Sequence, residues 1–405
     1  MIIVESFEKA PIENMVSVLA AKPDKVIFLG DVAQMREPVQ KYRTILDKKG
    51  ITTEILLKGI QKNNLNNILT VLTNLIEDEE ELIFDVTGGE DLVLLAFGMM
   101  YERYKDIKQI KMQRFNINSG KVIDCDYDNE VSFENAFSMG IEELISLYGG
   151  VVVPEEEQPM IDHPLEIVDK VWNLARRNGT KWNKVHSYLK ELERKADVSE
   201  ELLEVRMEFA DVKYEIGEFT KKYKDVTNLL SEFGRTGLVE DLTIQDDTVG
   251  YKYKNSFVKR CLGNSGDALE MKCYCEALNL MEKGKPCFND CCVGVTIDWD
   301  GVIHSKDENG KDTTNEIDLI LMRGLIPIFV SCKNGKIGEE ELYKLNTVAE
   351  KFGGKYAKKM LIATKLERDT PVAKKAYMRR AEDMGIKIIP NAGELTKEEW
   401  MKVFR

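Results

Sequence analysis

The stretch Glu81-Leu-Ile-Phe-Asp-Val-Thr-Gly-Gly89 joins a short apolar run to a pair of glycines, and a helical pattern follows it. Lys25-Val-Ile-Phe-Leu29 is a similar run, closed by Gly30-Asp31. Continuous apolar runs that alternate with helices are typical of a parallel sheet covered on both faces. We therefore predict an α/β, Rossmann-like domain at the start of the chain.

The segment after the glycines is predicted to be a helix over residues 90–104. Its apolar residues recur at helical spacing and are expected on the buried face: Leu92, Leu95, Ala96 and Met99. The glycines permit a tight turn, and the N–H groups that open the helix can receive a phosphate. A turn with Thr87 as a helix cap explains the same residues without a ligand.

A segment that combines prolines with an acidic run, residues 151–159, marks the first domain boundary. We place the domains at residues 1–153, 154–255 and 256–405. In the middle domain, apolar residues from Leu202 to Phe219 step by three and four, which predicts a helix packed locally or a coiled-coil seam. Residues 237–254 predict a β-hairpin, so this domain would be a helical, winged-helix-like spacer.

Basic and aromatic residues alternate at the end of that hairpin, in Tyr251-Lys-Tyr-Lys254. Such a pattern suits contact with nucleic acid. An ordinary amphipathic strand gives the same alternation.

The last domain is predicted to be a second α/β unit, with strands near residues 293–298, 316–322, 327–332, 359–364 and 387–389. Glu316 and Asp318 lie on one strand, and Ser331 and Lys333 lie on the next. Alternate residues of a strand share a face, so each pair projects together. We expect a carboxylate and an amine to meet on adjacent strands.

A carboxylate close to an amine is what metal-dependent phosphodiester hydrolysis requires. A carboxylate can hold Mg²⁺ or Mn²⁺, which polarises the phosphate and activates water, while a lysine stabilises the developing negative charge. Glu270, on a predicted helix, could project across the sheet toward Asp318, and Glu276 is a second candidate on the same helix. Solvated charges at strand ends are the alternative interpretation.

Here the sequence resembles a known fold. Glu270 on a helix, Asp318 on a strand and Ser331-x-Lys333 on the next strand resemble the PD-(D/E)xK restriction-endonuclease-like fold. The resemblance implies that Asp318 and Glu270 bind the metal and that Ser331 and Lys333 complete the catalytic set. Ser331 stands where Glu or Asp is commonest in that fold, so Glu270 or Glu316 would compensate for the weaker hydroxyl ligand.

The N-terminal motif Phe84-Asp-Val-Thr-Gly-Gly89 in turn resembles the Thr-Gly-Gly motif of CRISPR-associated Rossmann-fold (CARF) sensor domains. The residues implied to contact a cyclic nucleotide, or to line its rim, are Thr87, Gly88, Gly89, Gly30 and Asp31. Some relatives carry Thr-Lys after the glycines, where this chain has Glu90-Asp91. Phosphate would then be held by backbone N–H groups or by basic residues elsewhere.

Sensor, spacer and nuclease domain in this order resemble, over nearly the whole chain, the ancillary nucleases of type III CRISPR antiviral systems. The resemblance implies a homodimer in which cyclic tetra-adenylate spans both sensors and reorients the nuclease domains to cleave DNA and/or RNA. The basic run between Lys351 and Arg380 is a candidate cleft for the cleaved strand, and a solvated basic face is the alternative.

The composition of the chain limits the kinds of site and of protein that fit the sequence. The 405 residues include 57 Lys and Arg against 70 Asp and Glu, a formal net charge of −13, so any nucleic-acid site must be a local basic patch. We expect a soluble, cytoplasmic protein without a membrane partner, because no long apolar segment or leader is seen and the eight cysteines have no secretory context.

Two further classes compete with the nuclease. A dinucleotide oxidoreductase is disfavoured because no G-x-G-x-x-G opens a first helix. The serious alternative is a non-catalytic, ligand-sensing regulator that binds nucleic acid and whose nuclease site has degenerated at Ser331.

Overall fold

The computed structural model describes residues 1–125, 129–132, 138–153, 164–193, 203–208, 219–245, 248–303, 313–335 and 337–405. Its described strands form a seven-stranded, a six-stranded and a three-stranded sheet and a two-stranded ribbon. None of the helices in these ranges combines the length and the apolar character needed to cross a bilayer.

The first sheet is Rossmann-like. Its strands are β1 (Ile2–Ser6), β2 (Lys25–Gly30), β3 (Glu54–Gly59), β4 (Glu81–Asp85), β5 (Gln109–Asn116), β6 (Lys121–Asp124) and β7 (Asn129–Ser132). The helices between the first five strands are α1 (Pro11–Ala21), α2 (Val32–Lys48), α3 (Leu65–Asp78) and α4 (Asp91–Tyr104). The order is β3-β2-β1-β4-β5-β6-β7, with the first five strands parallel. The order reverses between β1 and β4, which is where such sheets bind ligands.

Helix α4 is present after the glycines, but its buried face differs from the predicted one. The residues it buries are Val93, Ala96, Phe97 and Met100. Leu95 and Met99, predicted to be buried, are 52% and 44% exposed. Apolar residues occur all around this helix, so periodicity alone could not select the side that packs on the sheet.

After the first sheet come α5 (Ile141–Leu147) and β8 (Val151–Val152). The middle segment then contains α6 (Pro164–Glu193), β9 (Glu204–Glu208), α7 (Phe219–Thr236), β10 (Val239–Ile244), β11 (Thr248–Tyr253) and α8 (Ser256–Cys261). The predicted hairpin is confirmed, since β10 and β11 pair antiparallel. Strand β9 joins the other side of β11.

The helix predicted between Leu202 and Phe219 is wrong over Glu204–Glu208, which form β9, whereas Phe219 begins α7. Val205 lies on β9, where it is buried between exposed Glu204 and Arg206. Alternation with a period of two therefore prevails over the spacing of three and four. Residues 209–218, the rest of that pattern, lie outside the described residues.

The tyrosines of the hairpin are core residues, so the nucleic-acid interpretation is wrong for them. Tyr251 is 3% exposed and Tyr253 is fully buried. Both hydroxyls donate to the Glu193 carboxylate. Buried rings cannot stack on bases, and the ordinary amphipathic strand is the correct interpretation.

The C-terminal part forms the six-stranded sheet. Its elements are α9 (Asp267–Leu278), β12 (Met281–Glu282), β13 (Lys285–Pro286), β14 (Asp290–Asp298), β15 (Thr314–Arg323), β16 (Ile326–Lys333), α10 (Glu340–Gly353), β17 (Lys358–Ala363), α11 (Pro371–Asp383), β18 (Ile386–Ile389) and α12 (Lys397–Val403). The strand order is β18-β17-β16-β15-β14-β8. Strand β8 thus pairs antiparallel with β14 and ties the end of the first domain to this sheet.

The two faces of this sheet have different partners. One apolar core packs the middle segment and α9 on residues such as Leu319 and Val330. The other core joins α1 and α2 of the first domain to α10 and to residues such as Ile320 and Phe329. The sensor-like sheet and the C-terminal sheet are therefore connected through a continuous hydrophobic core.

Candidate functional site

The candidate nuclease site lies across β15 and β16. These strands pair antiparallel, with Leu319 opposite Val330. Because residue numbers run in opposite directions along such a pair, the next position places Asp318 beside Ser331. Alternation puts Lys333 on the same face as Ser331 and turns Cys332 into the core, where it is 4% exposed.

Three donors converge on the Oδ2 atom of Asp318. The Ser331 hydroxyl donates to it at 3.2 Å, the Cys332 backbone N–H at 2.5 Å and the Lys333 ammonium at 3.4 Å. The carboxylate is thus held in one orientation by the neighbouring strand. The structure brings Asp318, Ser331 and Lys333 together as the sequence predicts.

Lys333 has a second carboxylate partner that the sequence analysis did not select. Glu341, in the first turn of α10, lies 3.3 Å from the Lys333 ammonium. Burial lowers the pKa of Lys333, but the charges of Asp318 and Glu341 outweigh burial and leave that pKa raised. Lys333 is therefore a fixed positive charge. Three consecutive glutamates, Glu339 to Glu341, stand at the start of α10. The sequence alone does not show which of them reaches the sheet.

Glu270 completes a group of carboxylates around this point. Burial, followed by the charges of Asp318, Asp267 and Glu316, raises the pKa of Glu270 from 4.5 to about 8, although Lys333 acts in the opposite direction. Glu316 is exposed on β15, two residues before Asp318. The structure therefore places Glu270 within electrostatic reach of the strand residues, as predicted.

Glu276 is not part of this group. Its carboxylate pairs with the Lys272 ammonium at 2.5 Å, and Lys272 also pairs with Asp169 of α6 at 2.5 Å. Glu276 follows Glu270 by six positions, which puts the two on different sides of α9. Glu276 thus attaches α9 to the middle segment.

Oxygen ligands of this kind suit Mg²⁺ or Mn²⁺. Within the part of the chain that the structure describes, no three His, Cys, Asp or Glu side chains converge closely enough to hold a metal ion by themselves. Mg²⁺ commonly takes one or two carboxylates and completes its shell with water and substrate phosphate. Asp318 and Glu270 fit that demand, and the raised pKa of Glu270 reflects negative charge that a divalent cation would compensate.

The loop after β16 connects this site to the middle segment. The Asn334 side chain donates to Asn183 Oδ1 at 2.8 Å, and the Asn183 side chain donates to the Asn334 carbonyl at 2.6 Å. Asn183 lies on α6. A movement of α6 would therefore act on the residue next to Lys333.

The second candidate site is the turn after β4. The Thr87 N–H donates to Asp85 Oδ1 at 2.8 Å, and the Thr87 hydroxyl accepts from the Phe115 N–H at 2.7 Å. Gly89 has φ +149°, and a Cβ there would lie 2.8 Å from both Leu94 and Ser6. The turn is thus held rigidly, and only glycine fits at position 89.

The other predicted residues lie at the same end of the sheet, across β1 from the turn, and Ser6, which was not predicted, lies beside it. Gly30 ends β2, and Asp31 caps α2 by accepting from the Ala33 N–H at 2.9 Å. Ser6, at the end of β1, accepts from the Glu90 N–H at 3.2 Å. Its short β1 run carries no glycine signature, so only the parallel pairing of β1 with β2 and β4 reveals its place.

The acids beside the turn have lysine partners. The Lys62 ammonium donates to Glu90 at 2.7 Å, and this hydrogen bond lowers the pKa of Glu90. The Lys355 ammonium lies 2.6 Å from Glu13, whose carboxylate lies under Gly88. The two acids nearest the turn are thus each paired with a lysine.

Three cations of the basic run near the C-terminus have partners within the protein. Lys355 faces Glu13 of the first domain, Lys359 donates to Asn346 at 2.6 Å and Arg380 pairs with Glu339. The other cations of that run include Lys351, Lys358, Lys374, Lys375 and Arg379, and the cleft for a cleaved strand stays a prediction.

No protein-family model matches the sequence, and no curated protein matches it. Solved structures do match. Protein VC1899 from Vibrio cholerae is 18% identical with a TM-score of 0.70, and the match covers 99% of this chain and 98% of that chain. Can2 from Sulfobacillus thermosulfidooxidans, in complex with cyclic tetra-adenylate, is 18% identical with a TM-score of 0.65, covering 99% and 97%.

The chain shares the fold of these two proteins. The likeness extends over nearly all residues of all three chains, so it includes the order of the sheets as well as each sheet alone. The predicted resemblance and the predicted α/β fold class are confirmed at the level of the fold. At this identity the comparison concerns the backbone, and the chemistry has to be argued from the side chains.

Proposed function

We propose that this protein is a metal-dependent nuclease of type III CRISPR defence that a cyclic oligoadenylate activates. The observation that carries the proposal is the convergence of Ser331, Cys332 and Lys333 on Asp318, with Glu270 close by. A fixed carboxylate, a second acid with raised pKa and a permanently charged lysine are the parts that phosphodiester hydrolysis needs.

Each residue has a distinct role in this proposal. Asp318 and Glu270 would hold Mg²⁺ or Mn²⁺, which when bound polarises a phosphate and lowers the pKa of water. Ser331 orients Asp318 by donating a hydrogen bond to it. Lys333 would stabilise the negative charge that develops on the phosphate. Glu341 positions Lys333 and contributes to keeping it charged.

The activator site of this proposal is the turn at Thr87, Gly88 and Gly89, with Gly30 and Asp31 at its rim. Can2, which has the same fold, was solved in complex with cyclic tetra-adenylate. In this chain the glycine turn opens α4, whose first N–H groups can donate hydrogen bonds to phosphate oxygens. Lys62 compensates the charge of Glu90 there, which removes one obstacle to an anionic ligand.

The proposed homodimer uses the exposed side of α4. Leu95 and Met99 are exposed apolar residues there, and together with Leu94 and Gly98 they line one shallow depression. Exposed neighbouring apolar residues beside a ligand site favour a protein interface. The domains would be the sensor (1–153), the spacer (154–255) and the nuclease (256–405), acting in the cytoplasm.

A cleavage assay tests this function. Single-stranded DNA, single-stranded RNA and supercoiled plasmid are incubated with Mg²⁺ or Mn²⁺, with and without cyclic tetra-adenylate. Cleavage that needs both metal and activator is the expected result. Cleavage with metal alone would support the proposed nuclease activity and contradict the proposed activation by cyclic tetra-adenylate. Tight binding of activator and nucleic acid without cleavage in any metal would favour the regulator with a degenerate site at Ser331.

A further inference from the structure

A turn of the nuclease domain reaches into the first domain. The 3-10 helix Gly354–Tyr356 lies between α10 and β17. The Tyr356 hydroxyl donates to Glu13 Oε1 at 2.6 Å, and the Lys355 ammonium lies 2.6 Å from the same oxygen. Glu13 belongs to the first turn of α1. The Glu13 side chain is 2% exposed, so both of these partners of a buried carboxylate come from the other domain.

The same carboxylate touches the glycine turn. A Cβ placed on Gly88 would lie 2.8 Å from Glu13 Oε2. One Glu13 oxygen therefore faces the turn, while the other oxygen holds the nuclease domain. The absence of a side chain at position 88 is what lets the carboxylate approach.

An anion that binds at this turn would meet the charge of Glu13. Two negative groups at close range repel each other strongly where water is excluded. Lys355 is the cation already bound to the other oxygen of this carboxylate and is 61% exposed, so its flexible stem can turn toward a phosphate. An arriving phosphate and Glu13 would compete for one ammonium group.

We propose that Lys355 of the nuclease domain is a phosphate-binding residue of the sensor site, and that Glu13 holds this lysine until an anionic ligand competes for it. The inference rests on the proposed activator site. It adds that the site is incomplete without the nuclease domain. Ligand binding would then change the Glu13–Lys355 contact directly and so alter how the two domains are joined.

Opposite effects of two substitutions test this inference. Cyclic tetra-adenylate binding to the full-length protein is measured by calorimetry for wild type, Lys355→Ala and Glu13→Gln. Loss of one charge-assisted phosphate contact should weaken the affinity of Lys355→Ala about tenfold. Glu13→Gln keeps a partner for Tyr356 and releases Lys355, so its affinity should rise about threefold to tenfold.

The double variant separates the competition from simple repulsion by Glu13. If Glu13 acts through Lys355, then Glu13→Gln should add little in the Lys355→Ala background, and the two changes should be non-additive. Equal gains in both backgrounds would overturn the competition. Lys351→Ala is the matched control, because Lys351 is an exposed lysine in the last turn of α10 over the Phe352 ring. Its affinity should equal that of wild type.

Each outcome has a definite meaning. Unchanged affinity in both single variants would show that Lys355 and Glu13 form a purely structural contact, and would overturn the inference alone. If wild type does not bind cyclic tetra-adenylate, the proposed activator is wrong and the inference falls with it. Melting temperatures of all variants, measured without ligand, show that affinity changes are not caused by unfolding.

Discussion

The proposed nuclease site and the proposed sensor turn are both built at polar positions on a sheet, yet their charges are balanced differently. Around Asp318, the acids Glu270, Glu316 and Glu341 gather near one lysine, Lys333. Beside the glycine turn, two acids each have a lysine within 3 Å. The first arrangement favours a cation and the second permits an anion. Similar scaffolds thus suit opposite ligands through their side chains.

The largest effect is expected when the acid at the centre of the first site is changed. Asp318→Asn should reduce nuclease activity at least a thousandfold, on the order of the loss of a principal electrostatic group. The amide keeps the shape and still accepts from the Cys332 N–H, so the fold should persist. Cleavage of plasmid and single strands measures the loss.

Lys333→Ala should give a similar loss, because it removes the positive charge at this site. Both variants should bind cyclic tetra-adenylate as wild type does, since the sensor turn is separate. Retained cutting by either purified variant would contradict the assignment of the site. Reduced ligand binding would show that the two regions are not independent in the way the comparison requires.

A smaller effect is expected at the second site. Gly89→Ala should weaken cyclic tetra-adenylate binding by tenfold or more and raise the activator concentration needed for cleavage. The reasons are the φ of +149° and a Cβ that would lie 2.8 Å from Ser6 and Leu94. Gly59→Ala is the control, because its Cβ would meet Val32 at an ordinary 3.5 Å. Normal activation of Gly89→Ala would place the activator elsewhere.

Much of this comparison is visible in the sequence. Apolar runs and glycines predicted both sheets, and alternation predicted that Asp318, Ser331 and Lys333 would share a face. Those features depend on local spacing, which the backbone converts directly into geometry. Even the departure at Ser331 has a structural counterpart, because its hydroxyl holds Asp318.

Other features depend on contacts between distant segments and could not be read from spacing. Glu341, Lys62 and Lys355 each lie in a sequence context of several similar charges, and only the fold selects the one that reaches its partner. Val205 shows the same limit for secondary structure, because pairing with β11 decides its conformation. The exposed side of α4 was likewise decided by packing.

That exposed side gives the next prediction. Leu95→Glu should convert a dimer into monomers and weaken ligand binding, because a charge would be buried at the proposed interface. Light scattering after size-exclusion chromatography measures the mass. Val372→Glu is the control, since Val372 is 78% exposed at the start of α11. If the Leu95→Glu protein keeps the molar mass of a dimer, α4 is not part of the interface.

The smallest effect concerns the pH dependence of stability. The folded protein holds a proton on Glu270 up to about pH 8, whereas an ordinary glutamate releases it near 4.5. The folded state therefore binds more protons than the unfolded state between these values, and stability falls as pH rises through that window. Glu270→Gln should remove this component, so its melting temperature should exceed that of wild type increasingly from pH 5 to pH 8. Each kcal/mol recovered corresponds to about 2–4 °C.

Glu276→Gln, on the same helix, is the matched control for that measurement. It breaks the pair with buried Lys272 and should lower the melting temperature instead. Mg²⁺ should stabilise wild type at pH 8 more than Glu270→Gln, because a divalent cation binds the ionised carboxylate and only the wild type presents it. Identical pH profiles for wild type and Glu270→Gln would mean that Glu270 does not feel the neighbouring acids. The claim that the charges around Asp318 favour a cation would then lack support.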